Sequence, residues 1–191
     1  MLAELAALDL ETAVFRVRLA RERAGQGELG VGPEGWRLGP KGVDQAEFLF
    51  SGNAGEDARP LARIASGGEL SRTMLALKVV LAATDAVPVL IFDEVDVGIG
   101  GKTADTVGKK LRQVARTRQV LCVTHLPQIA AYADQHFRVE KHEEDGRTAT
   151  TVAALVRNDR VREVARMLGG ESVTDTSLQH ALELITQARG K

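Results

Sequence analysis

Cysteine is nearly missing from this sequence, and the single one, Cys122, cannot close an internal disulfide. Its place in the apolar run Val120-Leu121-Cys122-Val123 predicts a buried thiol of a cytosolic protein. No apolar run approaches the length that spans a bilayer, and Met1 is not followed by the basic-then-apolar pattern of a secretion signal, so the expected location is cytoplasmic with no membrane partner. Net charge is also lacking. A formal balance of -1 excludes a chain-wide attraction to nucleic acid and confines any DNA contact to a local basic face. Internal repeats and low-complexity linkers are absent. The 191 residues suit one domain with a sizeable core and leave no room for a large second one.

What is present centres on two motifs in a fixed order. Ala65-Ser66-Gly67-Gly68-Glu69 opens an apolar helix: Ser66 can cap it, the glycines leave backbone N–H groups open to an anion, and the helix dipole adds positive potential there. Val89-Leu90-Ile91-Phe92-Asp93-Glu94 then runs four apolar residues into two carboxylates. This predicts a buried strand that carries Asp93 and Glu94 to its C-terminal tip, where ligands of open α/β sheets bind. One acid can serve a magnesium ion and the other a water.

Around these motifs the periodicity predicts a helix over residues 1–9 and a strand at Phe15, Val17 and Leu19, although Ala3, Ala6, Leu10, Ala13, Val17, Ala20 and Ala24 also fit the heptad of one coiled-coil helix. Residues 25–42, rich in Gly with Pro33 and Pro40, predict a loop with a short strand at Trp36 to Leu38. Glu47 to Phe50 reads as a strand pairing antiparallel with the first. Arg16, Arg18, Arg21 and Arg23 form either a DNA-facing basic row or a solvated strand face. The helix that carries Ser66-Gly67-Gly68 is expected from Pro60 to about Ala83, with Leu70, Met74, Leu77, Lys78 and Leu81 on its apolar side. Strand, helix and strand then follow at Val89, at Thr103 to Arg116 and at Gln119 to Thr124, a parallel α/β unit ending at His125. A closing hairpin around Asp145-Gly146, a helix capped by Asp159 and ended by Gly169-Gly170, and an amphipathic helix with Leu178, Ala181, Leu182 and Ile185 complete the chain.

Several other chemistries fail on spacing. Gly98-Ile99-Gly100-Gly101-Lys102-Thr103 ends like a P-loop, but the glycine required six residues before the lysine is Asp96, and three carboxylates would face the phosphates. Ser66 lacks the Gly-x-Ser-x-Gly elbow, and Cys122-x-x-His125 has no second ligand pair for zinc. His136 and His142 read as surface residues.

In the order signature, acidic strand tip, following loop and histidine, the chain resembles the C-terminal half of an ABC-type ATPase head. The runs Ile64 to Arg72, Ile91 to Ile99 and Val123 to Gln128 resemble more narrowly the RecN family of bacterial DNA-repair ATPases, relatives of the SMC proteins. The resemblance spans roughly residues 13–170. It implies an α/β fold, the C-terminal lobe of a P-loop NTPase head of ABC/SMC type, with parallel core strands, flanking helices and added antiparallel strands. Residues 1–12 would end a coiled coil and residues 13–191 would form the lobe.

The resemblance further implies ATP and Mg2+ as ligands, with Asp93 serving the metal and Glu94 and His125 catalytic. Ser66, Gly67, Gly68, Glu69 and Asp96 would contact nucleotide. The loop after the acidic strand departs from the family, with Gly100 where an aspartate is usual, and Asp96 is expected to take part of that role. The partners implied are an N-terminal Walker A lobe of the same protein, a second head joined through ATP, and DNA in the full-length protein, in the cytoplasm at the nucleoid. The rivals are a non-catalytic dimerisation module that keeps only the fold, which the presence of Glu94 argues against, and the head of another ABC-type protein.

Overall fold

Alternation of side chains from Val14 to Ala20 and from Gln45 to Ser51 produces strands β1 and β4, paired antiparallel with Phe15 opposite Phe50 and Leu19 opposite Ala46. The structure, a computed structural model, describes residues 1–144, 147–170 and 172–190. Helix α1 (Leu2–Ala7) precedes β1, so residues 1–24 form a helix followed by a strand rather than one heptad helix. Leu5 and Leu8 are fully buried in the main core. Only the Phe15 end of the ribbon reaches that core. Leu19, expected inside, is 68% exposed, because the core lies at the opposite end of the ladder. Arg18 is paired with Glu47, and Arg21 Nε donates to Asp44 Oδ1 at 2.6 Å, so the solvated reading of that basic row describes at least these two arginines.

Within the glycine-rich segment a small hairpin forms from β2 (Gly30–Val31) and β3 (Trp36–Arg37). Strand β5 (Arg59–Pro60) adds to β4, and Leu61–Arg63 makes one 3-10 turn. Helix α2 therefore starts at Gly67, not after Pro60, and ends at Val80. Its buried face also differs from the expected stripe. Leu77 is buried as expected, but Gly68, Arg72, Leu75 and Ala76 are inside as well, Leu70 and Met74 are half-buried, and Leu81 is exposed. The Gly and Ala on that face let the chain pack closely against neighbouring elements, whereas the leucine stripe borders an open groove of about 240 Å³ lined by Leu70, Met74, Lys78 and Ile91.

The parallel unit is present. Strands β6 (Val89–Phe92) and β7 (Gln119–Cys122) pair in register, Val89 with Gln119 and Phe92 with Cys122, and helix α3 (Gly101–Ala115) crosses between them. Leu90 and Phe92 face the core with Val107, Leu111 and Val114 of α3. The expectation of a strand buried on both sides is not met, since Ile91 is 71% and Val123 is 62% exposed. One face of the parallel pair is bare.

After the short helix α4 (Pro127–Ala130) come strands β8 (Phe137–Glu144) and β9 (Arg147–Ala154), an antiparallel pair whose expected turn, Asp145-Gly146, lies outside the described residues. Helices α5 (Arg157–Gly169) and α6 (Asp175–Ala188) pack through Val164, Ala165, Ala181 and Ile185. Asp159 sits in the first turn of α5 and is not its cap, because Val156 occupies that position. Gly170, at φ 81°, ends α5 in a conformation that favours glycine. Leu182, expected on the buried face of α6, is exposed, because Ala181 and Ile185 fill the contact with α5. His136 departs from the surface reading as well. It is half-buried, and burial followed by the nearby Arg160 guanidinium lowers its pKa.

Candidate functional site

Because α2 leads through a short connection into β6, the tip of the acidic strand returns to the start of the helix. Two hydrogen bonds fix that return. Ser71 Oγ donates to the Asp93 carbonyl at 2.5 Å, and the buried Arg72 guanidinium donates through Nη1 to the Val97 carbonyl at 2.8 Å. Desolvation lowers the pKa of Arg72, offset in part by Asp9 and Glu69. Neither contact follows from periodicity, although Ser71 and Arg72 lie one turn into the helix that the signature opens.

At the helix start Ser66 is the N-cap, with its Oγ accepting the Glu69 N–H at 3.4 Å. Gly67 and Gly68 follow where neighbouring groups come close, the end of the exposed Glu94 side chain at Gly67 and backbone at Gly68. A Cβ on Gly67 would lie 1.7 Å from Glu94 Oε2, and one on Gly68 would lie 3.1 Å from the Val97 carbonyl. The structure thus brings Ser66, Gly67, Gly68, Asp93 and Glu94 to one corner. Glu69 points elsewhere, its carboxylate packed against Gly52.

The acidic tip is a sharp turn. Glu94 has φ 58°, the left-handed region that costs a non-glycine residue about 1 kcal/mol or more, and Asp93 Oδ1 accepts its N–H at 2.9 Å. Both carboxylates are exposed. Among the described residues no group of three or more His, Cys, Asp or Glu forms a metal cage. An exposed Asp93 beside an open corner still suits magnesium, which takes one or two carboxylates and completes its shell with phosphate oxygens and water.

His125 stands on the neighbouring strand tip, just past β7. Its ring is 73% exposed, and its Nδ1 lies 3.0 Å from Asp96 Oδ2. The same oxygen accepts the Thr124 hydroxyl at 2.6 Å and the His125 backbone N–H at 2.9 Å. Asp96 was expected to reach nucleotide. In the fold its side chain is buried and turned to the β7 tip, because Val95 and Asp96 follow the acidic turn back into the core. The loop that follows is anchored from both sides, by Arg72 at Val97 and by Thr124 and His125 at Asp96. Lys102, the lysine of the P-loop-like run, is exposed in the first turn of α3. Cys122 is half-buried, and burial, with Asp96 and Asp93 adding to it, pushes its thiol up to about 12, away from nucleophilic use.

No family model matches the chain. Among known proteins it is 57% identical over 149 residues to the DNA repair protein RecN of Treponema pallidum, covering 78% of this chain and 26% of that protein. To the DNA repair protein RecN of Streptomyces coelicolor it is 46% identical over 189 residues, covering 98% of this chain and 32% of that protein. The chain therefore spans about a third or less of the length of these relatives. The Smc head domain with a coiled coil and joint from Pyrococcus yayanosii superposes with a TM-score of 0.51 at 19% identity, over 98% of this chain and 28% of that one, which shows a shared fold. Over its own length, this chain belongs to the RecN family and matches the C-terminal part of that protein.

Proposed function

We propose that this chain is the C-terminal lobe of an ATP-binding and hydrolysing head that acts in DNA double-strand break repair, and that it supplies half of each composite ATP site. The observation that supports this most is the corner where the capped, side-chain-free start of α2 meets the acidic tip of β6, with His125 on the adjacent strand tip. The start of α2 offers backbone donors to a phosphate, and the tip offers a metal carboxylate and a base.

In this reading Asp93 holds Mg2+, which supplies charge neutralisation on the phosphates. Glu94 accepts a proton from the attacking water or orients it, and the exposed edge of His125 faces the γ-phosphate and that water. Ser66, Gly67 and Gly68 contact the γ-phosphate of a nucleotide held by a second head, so ATP joins two heads and hydrolysis releases them. The β-phosphate cradle and its lysine come from an N-terminal Walker A lobe, for which the bare face at Ile91 and Val123 is the natural seat. Residues 1–12 are then the returning end of a coiled coil, and DNA is the partner of the full-length protein. The test is reconstitution: the chain mixed with a Walker A lobe is expected to gain magnesium-dependent ATP turnover that Glu94→Gln removes. Turnover unaffected by Glu94→Gln would overturn the assignment.

A further inference from the structure

We infer that Asp96 is the positioning residue of His125: it fixes the imidazole tautomer and turns Nε2 outward. This rests on the reading of His125 as the group that faces the phosphate and water. The geometry is specific. Asp96 is 4% exposed, and a single oxygen, Oδ2, gathers the Thr124 hydroxyl at 2.6 Å, the His125 backbone N–H at 2.9 Å and the His125 ring at Nδ1, 3.0 Å away. A carboxylate only accepts, so the tautomer that this 3.0 Å approach favours carries its proton on Nδ1. In the neutral ring Nε2 is then a bare acceptor, and it can take a hydrogen bond from water but cannot donate one to a phosphate. Donation to phosphate from Nε2 requires the protonated ring.

The same arrangement links the two strand tips. Asp96 lies three residues beyond Asp93 on the loop after β6, while Thr124 and His125 follow β7. A shift of the acidic turn therefore carries the acceptor that orients the ring. The backbone bond to His125 N–H and the Thr124 bond hold the carboxylate in place even when the ring rotates, so the ring meets a preset acceptor. Thr124 has a second use, since its Oγ1 also accepts the Leu126 N–H at 3.0 Å and so shapes the turn that presents His125.

The test reads the ring directly. The chain is labelled with 15N-histidine, and long-range proton–nitrogen spectra are recorded above the range where imidazole titrates, with the His125 signals assigned by their loss in His125→Gln. The expected result is a single tautomer with the proton on Nδ1. Asp96→Asn is expected to replace it with an average of both tautomers while the circular dichroism of the fold is kept. A wild-type ring protonated on Nε2, or already averaged, overturns the inference whether or not any variant folds. In the reconstituted head, Asp96→Asn is expected to lower kcat about tenfold or more with KM for ATP unchanged. Equal loss from raised KM alone would contradict a positioning role. Because the spectra need no nucleotide, failure here is distinct from failure of the ATPase reading, which turnover of Glu94→Gln tests.

Discussion

The Glu94 carboxylate lies directly over Gly67, so close that a methyl group at Gly67 would overlap Oε2 at 1.7 Å. The proposed base and the signature glycine of one chain therefore share a single small volume, which the exposed Glu94 side chain must leave before Gly67 can meet a phosphate held by a second head. In a complete head, Glu94→Gln is expected to keep that shape while losing the base, so ATP binding and ATP-dependent head dimers persist and turnover stops. Equilibrium binding and single-turnover assays separate the outcomes. Loss of binding would make Glu94 a structural group or a direct metal ligand.

Ser66 caps α2 at the open corner, with no bulky side chain between it and solvent. Ser66→Arg is expected to fill the anion site and remove the cap bond, at a stability cost of about 1 kcal/mol. In the complete head one nucleotide per head should still bind, while sedimentation with a non-hydrolysable ATP analogue should show monomeric heads. Normal dimers of the variant would contradict a contact across the head interface.

Gly108 on α3 faces the ring of Tyr132, and an added Cβ would come within 2.3 Å of Cδ2. That ring cannot give way easily, because its hydroxyl donates to Asp105 Oδ1 at 2.6 Å; burial, followed by this bond, holds the phenol above its ordinary pKa. Gly108→Ala should therefore destabilise the chain by about 1–3 kcal/mol through overpacking, although Ala is the better helix former. Urea unfolding reads this as a lower midpoint at unchanged slope. A midpoint at or above that of wild type would contradict the close approach.

His136 is half-buried, with Nδ1 lacking a hydrogen-bond partner, and burial and then Arg160 lower its pKa below 6.5 against the opposing pull of Glu163. Its neutral form is the one the fold accepts. The unfolded chain thus takes up a proton at higher pH than the folded chain, and the stability held above pH 6.5 is lost as pH falls through the folded pKa. His136→Gln should flatten that part of the stability profile measured by urea unfolding between neutral and mildly acid pH. An unchanged slope would show that other groups carry it.

Local rules made much of this structure legible. Alternation located β1 and β4 and their antiparallel pairing, the apolar runs located β6 and β7, and Ser66 as helix cap located the start of α2 within the longer helix expected. What remained hidden depends on contacts between elements. The buried side of α2 is set by Gly68 and Ala76 allowing close packing, which hydrophobicity does not register. Leu19, Ile91 and Val123 are apolar yet exposed, because strand pattern predicts a side to be covered and not what covers it. For the site, Ser66, Gly67, Gly68, Asp93, Glu94 and His125 were marked by motif order. The role of Asp96 was not, since its partner Thr124 is 28 residues away and only the parallel register of β6 and β7 brings the two together. Ser71 and Arg72 were passed over because their acceptors, the Asp93 and Val97 carbonyls, are brought to them only by the packing of α2 against the end of β6.

The central claim is that this chain holds half of an ATP site, and calorimetric titration of the purified chain with Mg-ATP tests it most directly. In the proposed site, signature, acids and histidine would engage the γ-phosphate, metal and water, whereas triphosphate affinity in P-loop enzymes comes chiefly from the backbone cradle and its lysine. The two exposed carboxylates of Asp93 and Glu94 without that cradle should repel the nucleotide. The predicted result is no measurable heat of binding for the chain alone, and binding restored when an N-terminal lobe bearing a Walker A loop is added. Micromolar binding by the chain alone would contradict the half-site and make the run from Gly98 to Thr103 a working P-loop.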